Sequence, residues 1–272
     1  ATPMAASNAA VIQQMVEQGW IRGSQENIHN VSIAQLRPQW ADSSLTNQSN
    51  LTLGDGFTPS GPLLRALMAI ASTPLSLDER NAGNGGEDLR NPYDGFGRLN
   101  LSQLIDFAQL ENMISEGNVS PASDVWIHDS YRLQQLQPMH LLSQRNGNLT
   151  PLENLANNPW NGDGAVGPFL TSGDIWTTRL SIEEGEPLDV TMAFPSSPEP
   201  YLVDDMLLVV RLSNGQVAIS GKTNSTGANT LFYENVVNYS NNNSFPSSNE
   251  TTLKIHLDAI DISEIEWVEI EV

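Results

Sequence analysis

The triplet that accepts N-linked glycans, Asn-x-Ser/Thr, occurs ten times in 272 residues, at Asn30, Asn47, Asn50, Asn100, Asn118, Asn148, Asn224, Asn238, Asn242 and Asn249. From 26 Asn and 42 Ser plus Thr, chance placement would give about four. The excess reads as a secreted or cell-surface, heavily N-glycosylated protein if the source is eukaryotic. The adjacent carboxylates Asp204 and Asp205 are the metal candidates. Calcium takes about six to eight oxygen ligands, and successive strand residues face opposite ways, so one of the pair with loop oxygens is the arrangement expected. Calcium is the ion expected there if one binds, and no motif requires a cofactor. The four His residues, His29, His128, His140 and His256, are scattered and read as loop or strand residues. There is no Cys, which excludes disulfides, thiolate catalysis and Cys-ligated zinc or iron–sulfur sites.

Acids outnumber bases 32 to 12, a formal charge of −20. Nucleic acid is a poor partner for such a chain, because binding phosphates needs Lys and Arg to displace counterions. The runs "SIEEGEP", "LDAIDISEIE" and "VEIEV" read as solvated strand edges that resist edge-to-edge association. No stretch approaches the roughly 18 consecutive apolar residues of a membrane span. Residues 1–20 lack a basic leading region and carry Gln13, Gln14 and Glu17, unlike a signal peptide.

These candidates must be positioned by two kinds of element. In "ATPMAASNAAVIQQMVEQGW" the pattern predicts a helix with Thr2 as its cap and Pro3 in its first turn, where a missing N–H costs nothing. Ala9, Ile12, Met15 and Val16 form its apolar face, and Gly19 stops it. Residues 20–59 are polar without a sustained period and read as a surface insertion. "PSGPLLRALMAIAST" predicts a second helix, capped by Ser60, with Pro62 early and Leu63, Leu64, Leu67, Met68 and Ile70 facing inward. A further helix is expected over 101–115. Prolines at 121, 138, 151, 159 and 168 break the next stretch.

Beyond that the period changes to two. "IWTTRLSI", "LDVTMAF", "MLLVVRL", "QVAISG", "LKIHLDAI" and "EWVEIEV" predict short strands of an antiparallel β-sandwich, with Asn214-Gly215 as a two-residue hairpin turn. The six Trp residues, Trp20, Trp40, Trp126, Trp160, Trp176 and Trp267, have no regular spacing and read as core packing, with a sugar platform or interface anchor as the minority use.

Four stretches resemble subtilisin-like serine proteases, in that family's order. "ATPMAASNAAVIQQM" resembles the nucleophile motif "GTSMATP" and its helix, "TPSGPLLRALMAIAST" the later buried helix, and "DGFGRLNL" the close of the protease domain. "PLDVTMAFPSSPEPYLVDDMLLVVRLSNGQVAISG" is similar to the C-terminal β-sandwich of one subset of these enzymes. The resemblance implies the C-terminal part of an α/β subtilisin-like domain, here helices and long loops, over residues 1–122. A transition over 123–164 and an all-β, jelly-roll-like antiparallel sandwich over 165–272 would complete the chain.

In that family the triad Asp and His precede the Ser motif, so their counterparts would lie in an upstream part, on the same precursor or a separate chain. The motif itself is degenerate at Thr2, Pro3 and Met4. Pro3 has no hydroxyl to attack a carbonyl and no N–H for an oxyanion hole, where one lost donor costs about 100- to 1,000-fold. The expectation is a catalytically inactive homologue acting as a structural or interaction module among extracellular proteins. Two alternatives stand beside it: a fragment of an active endopeptidase with its nucleophile elsewhere, and a calcium- or glycan-binding sandwich.

Overall fold

The computed structural model describes residues 2–21, 28–32, 50–54, 59–73, 95–105, 118–119, 125–129, 170–182, 185–196, 206–223, 229–233 and 251–272. In chain order these form α1 (Thr2–Glu17), β1 (Ile28–Ser32), β2 (Asn50–Gly54), α2 (Gly61–Ile70), β3 (Ser72–Thr73) and β4 (Arg98–Leu99). A 3₁₀ turn (Leu101–Gln103), β5 (Asn118–Val119), β6 (Thr177–Ser181), β7 (Leu188–Ala193) and β8 (Val209–Leu212) come next. The chain ends with β9 (Gln216–Thr223), β10 (Asn229–Tyr233), β11 (Thr252–Leu257) and β12 (Trp267–Glu271). Two compact units result, residues 1–71 with 99–169, and residues 72–98 with 170–272.

In the first unit, the apolar spacing of α1 buries Ile12, Met15 and Val16, while Thr2, Pro3 and Met4 are exposed. The helix ends where Gly19 takes φ 78, a left-handed conformation that only Gly adopts without penalty. Gly19 N–H then donates to Val16 C=O at 3.0 Å and Trp20 N–H to Met15 C=O at 2.9 Å. This pair of bonds satisfies carbonyls that the ending helix would leave open. Trp20 also packs on the cluster containing Met15. α2 buries Leu63, Ala66, Leu67 and Ala69. Leu64, Met68 and Ile70 pack half-buried against the cluster that α1 and α2 share with Ile21, Ala71, Leu104, Ile105 and Ile127.

Two sequence expectations differ here. Residues 101–103 form a 3₁₀ turn capped by Asn100 instead of opening an α-helix; the rest of the expected helix lies outside the described residues. β1 and β2 lie in the stretch read as an insertion, and pair antiparallel from Ile28↔Gly54 to Ser32↔Asn50. Five residues are too few to establish a period against polar surroundings. β2 also pairs with β5 in parallel, Asn50↔Asn118 and Leu51↔Val119.

Among the described residues, 170–272 of the second unit form two packed antiparallel sheets. One has the order β10-β9-β8-β12-β6 and the other pairs β11 with β7. Their facing residues form one apolar core. Val190 of β7 and Leu253, Ile255 and Leu257 of β11 meet Val210 and Leu212 of β8, Ala218 of β9, and Val268 and Ile270 of β12. Alternation by two explains this: the core residues of each strand sit at i, i+2 and i+4, and β-branched side chains fit the pleat. Leu208 precedes β8, and Ile262 and Ile265 lie between β11 and β12, completing the cluster. The five-stranded sheet buries apolar groups on its other face as well, with Val209, Val217 and Ile219 grouped with Leu207.

The β8–β9 hairpin keeps the expected Asn-Gly but not the expected loop length. Arg211 pairs with Val217, so Ser213, Asn214 and Gly215 form a three-residue connection. Gly215 takes φ 84, and its N–H donates to Leu212 C=O at 2.9 Å. A three-residue loop with Gly in the left-handed position suits the strand twist as a two-residue turn does. Asn214 Oδ1 accepts from Gln216 N–H at 2.9 Å. Ser213 sutures the hairpin to β12, donating its N–H to Trp267 C=O and accepting at Oγ from Glu266 N–H, both at 3.1 Å.

Candidate functional site

The degenerate motif opens α1. Pro3 falls in the first turn, where backbone N–H groups have no intrahelical acceptor, so the helix forms without its donor. α1 includes Thr2 itself, one residue beyond the expected cap. Ser7, the next hydroxyl along the helix after Pro3, is exposed. It stands one turn on, displaced by about 6 Å along the axis, so it does not replace the missing Ser at position 3.

A buried carboxylate is built into the start of α2. Ser60 Oγ accepts from Leu63 N–H at 3.2 Å, the capping bond expected from the sequence. The buried carboxylate of Asp129 then holds Ser60 twice, Oδ2 accepting from its N–H and Oδ1 from its hydroxyl, each at 2.8 Å. A carboxylate at a helix N-terminus also meets the positive end of the backbone dipole. Sequence reasoning found the cap but not Asp129, which comes from 69 residues away.

Of the ten sequons, Asn30, Asn50, Asn100 and Asn118 are described, and Asn47, Asn148, Asn224, Asn238, Asn242 and Asn249 lie outside the described residues. Three of the four fall in one sheet. Asn30 is opposite Thr52, Ser32 opposite Asn50, and Asn50 opposite Asn118. Their triplets, Asn-Val-Ser, Asn-Leu-Thr and Asn-Val-Ser, are polar–apolar–polar alternations, the pattern of a half-buried strand. Asn100 is exposed, and its Oδ1 accepts from Ser102 N–H at 3.2 Å and from the Ser102 hydroxyl at 2.7 Å. A glycan would attach at Nδ2, so the cap and the modification use different atoms of one amide.

Asp204 and Asp205 lie outside the described residues. Among the described residues no three His, Asp or Glu side chains converge as a metal ion would need.

The most connected polar group is instead on the face of the β7–β11 pair opposite the core. His256 pairs across the ladder with Asp189, and Lys254 with Thr191. His256 Nδ1 lies 2.9 Å from Asp189 Oδ1, and Lys254 Nζ lies 3.3 Å from the same oxygen. His256 Nε2 lies 3.3 Å from Asp258 Oδ1. The hydrogen bond to Asp189 raises the His256 pKa above its ordinary 6.5 against the opposing effect of burial, helped by the charges of Asp189 and Asp258; Lys254 lowers it. For Asp189, burial is the largest influence and pushes its pKa up. The hydrogen bond from His256 with the charges of Lys254 and His256 outweighs it, and the net shift is down. The sequence did carry a signal for this group. In "LKIHLDAI", Lys254, His256 and Asp258 alternate with Leu and Ile, which puts three charged groups on one face. Asp189 could come only from the strand register.

The aromatic expectations separate by residue. Arg179 lies over the Trp267 ring, 3.9 Å from its centroid, and reaches Glu269 at 3.1 Å. Arg179 thus occupies one face of the Trp267 ring. Trp126 stacks with His128 at 6.1 Å and 13°, and Trp20 Nε1 donates to Gln18 at 2.8 Å. Trp176 extends the β6–β12 ladder, exchanging backbone bonds with Val272 at 2.9 Å. Trp40, Trp160 and His140 lie outside the described residues, as do the side chain of His29 and its surroundings.

Comparison with family models, with curated proteins and with solved structures gave no match.

Proposed function

We propose that this chain is a non-catalytic, subtilisin-like glycoprotein module with a structural or interaction role in an extracellular setting. In this reading residues 1–122 are the C-terminal part of a protease-like α/β domain, 123–164 connect, and 165–272 form a jelly-roll-like sandwich. The observation that carries it is Pro3 in the first turn of α1. A helix start tolerates Pro there, so the framework keeps its shape while the position loses both a nucleophilic hydroxyl and an oxyanion-hole N–H. His256 faces a carboxylate at each ring nitrogen, whereas a general base would face the nucleophile's hydroxyl at one of them. The strand pattern of the second unit and the sequons support the sandwich and the glycans respectively.

The test is serine-directed labelling. The chain incubated with a fluorophosphonate probe should take up none, with or without an upstream segment from the same precursor. The Pro3→Ser variant of the chain alone should stay unlabelled, since a hydroxyl without its base is a weak nucleophile. A stoichiometric adduct on any serine of the unaltered chain, mapped by mass spectrometry, would sink the reading. For the glycans, secretion from a eukaryotic host should give a mass reduced by glycosidase treatment, and Asn100→Gln should remove one glycan.

A further inference from the structure

The geometry points to a proton-operated latch in the second unit: protonated His256 ties Asp258, and with it the turn after β11, to Asp189 on β7. This inference does not depend on the protease-like reading.

Among the described residues, charged groups face the ring from the paired strand (Asp189), from its own strand (Lys254) and from just beyond it (Asp258). Each ring nitrogen meets a carboxylate oxygen, Nδ1 at 2.9 Å from Asp189 and Nε2 at 3.3 Å from Asp258. An imidazolium carries an N–H on each nitrogen, bonded to Asp189 through Nδ1 and attracted by charge to Asp258 at Nε2. A neutral imidazole has one, so the other nitrogen then turns a lone pair toward a carboxylate. One contact must break on deprotonation.

The contact that breaks is the one to Asp258. Asp189 Oδ1 is fixed by the shorter bond and by Lys254 Nζ at 3.3 Å, whose side chain is 5% exposed. The Asp258 side chain is 47% exposed and has water as a ready substitute partner. The neutral ring therefore keeps its proton on Nδ1, bonded to Asp189, and releases Asp258. Beyond Asp258 the chain makes a short turn between two anchors. Leu257 and Ile262 are buried in the core, Asp261 N–H donates to Asp258 C=O at 2.9 Å, and Ile260 at the tip is 82% exposed. Closed at low pH and released at high pH, the latch makes the order of this apolar tip depend on the charge of His256.

The test uses the full chain with ¹⁵N-labelled His and ¹³C-methyl-labelled Ile. The His256 ring should titrate above 6.5 and become the Nδ1–H tautomer when neutral. The Ile260 methyl should gain mobility through the same midpoint, while the buried Ile262 methyl does not. Asp258→Asn, at an exposed position compatible with folding, should lower the His256 midpoint and abolish the Ile260 step. His256→Gln should leave Ile260 without any pH step in this range. An Nε2–H neutral tautomer, an Ile260 methyl indifferent to His256 ionisation, or an unchanged His256 midpoint in Asp258→Asn would each overturn the latch.

Discussion

His256 and Asp189 both stabilise the fold, with opposite dependences on pH. The folded-state pKa of His256 is raised, so its contribution is complete below the unfolded value of 6.5 and is lost as pH climbs through the higher folded value. Asp189 is depressed, so its contribution is complete above 3.8 and is lost as pH falls through the lower folded value. Between those limits the pair holds at full strength. Asp189→Asn removes the carboxylate that faces both the buried Lys254 ammonium and His256. It should cost about 1–3 kcal/mol near pH 6 in urea denaturation, below the range for a fully buried ion pair because Asp189 keeps some water contact. The same variant should return the His256 titration toward its ordinary value. No loss of stability would mean that the ladder pairing alone holds the two strands.

Helix starts, helix ends and hairpins here depend on single polar groups or glycines. Ser60→Ala would delete the cap of α2 and leave the buried Asp129 carboxylate without the hydroxyl at 2.8 Å. The expected loss is about 1–2 kcal/mol, toward the upper part of the range for a cap because a charged acceptor loses a donor. Thermal unfolding followed by far-UV circular dichroism would measure it. At Gly215 an added Cβ would meet nothing within 4 Å, so a substitution there costs only backbone conformation. Gly215→Ala should therefore destabilise by about 1–2 kcal/mol and Gly215→Asn by less, since Asn tolerates the left-handed region. Equal costs for both would show that the loop relaxes to another turn.

At the scale of the whole molecule, the second unit rests on one core lined by both sheets, with Ile255 and Leu257 fully buried at its centre. Ile255→Ala should cost about 2–5 kcal/mol, the range for a truncated core aliphatic with its cavity. The net charge of −20 acts against compaction through self-repulsion, which salt screens with a length of about 10 Å at 0.1 M. Moderate sodium chloride should raise the denaturation midpoint, and a fall would mean that the local pairs Arg179–Glu269 and Arg211–Glu271 outweigh the global repulsion.

Local rules in the sequence determined the elements themselves, because a helical or two-residue period is carried by residues near one another in the chain. Ile12, Met15 and Val16 at helical spacing mark the buried face of α1, and Gly19 its end. Ser60 caps α2, and the alternating runs of the second unit mark β6, β7, β8, β9, β11 and β12 within three residues. Pro3 could be read directly, because a missing hydroxyl and a missing N–H belong to the residue itself. The tertiary structure alone decided which distant groups meet. Asp129 reaches Ser60 across 69 residues, Asp189 reaches His256 across 67, and β1 pairs with β2 although each is only five residues long. Burial and register bring such groups together, and both are properties of the packed chain: a carboxylate carries no mark in sequence of the donor it will face.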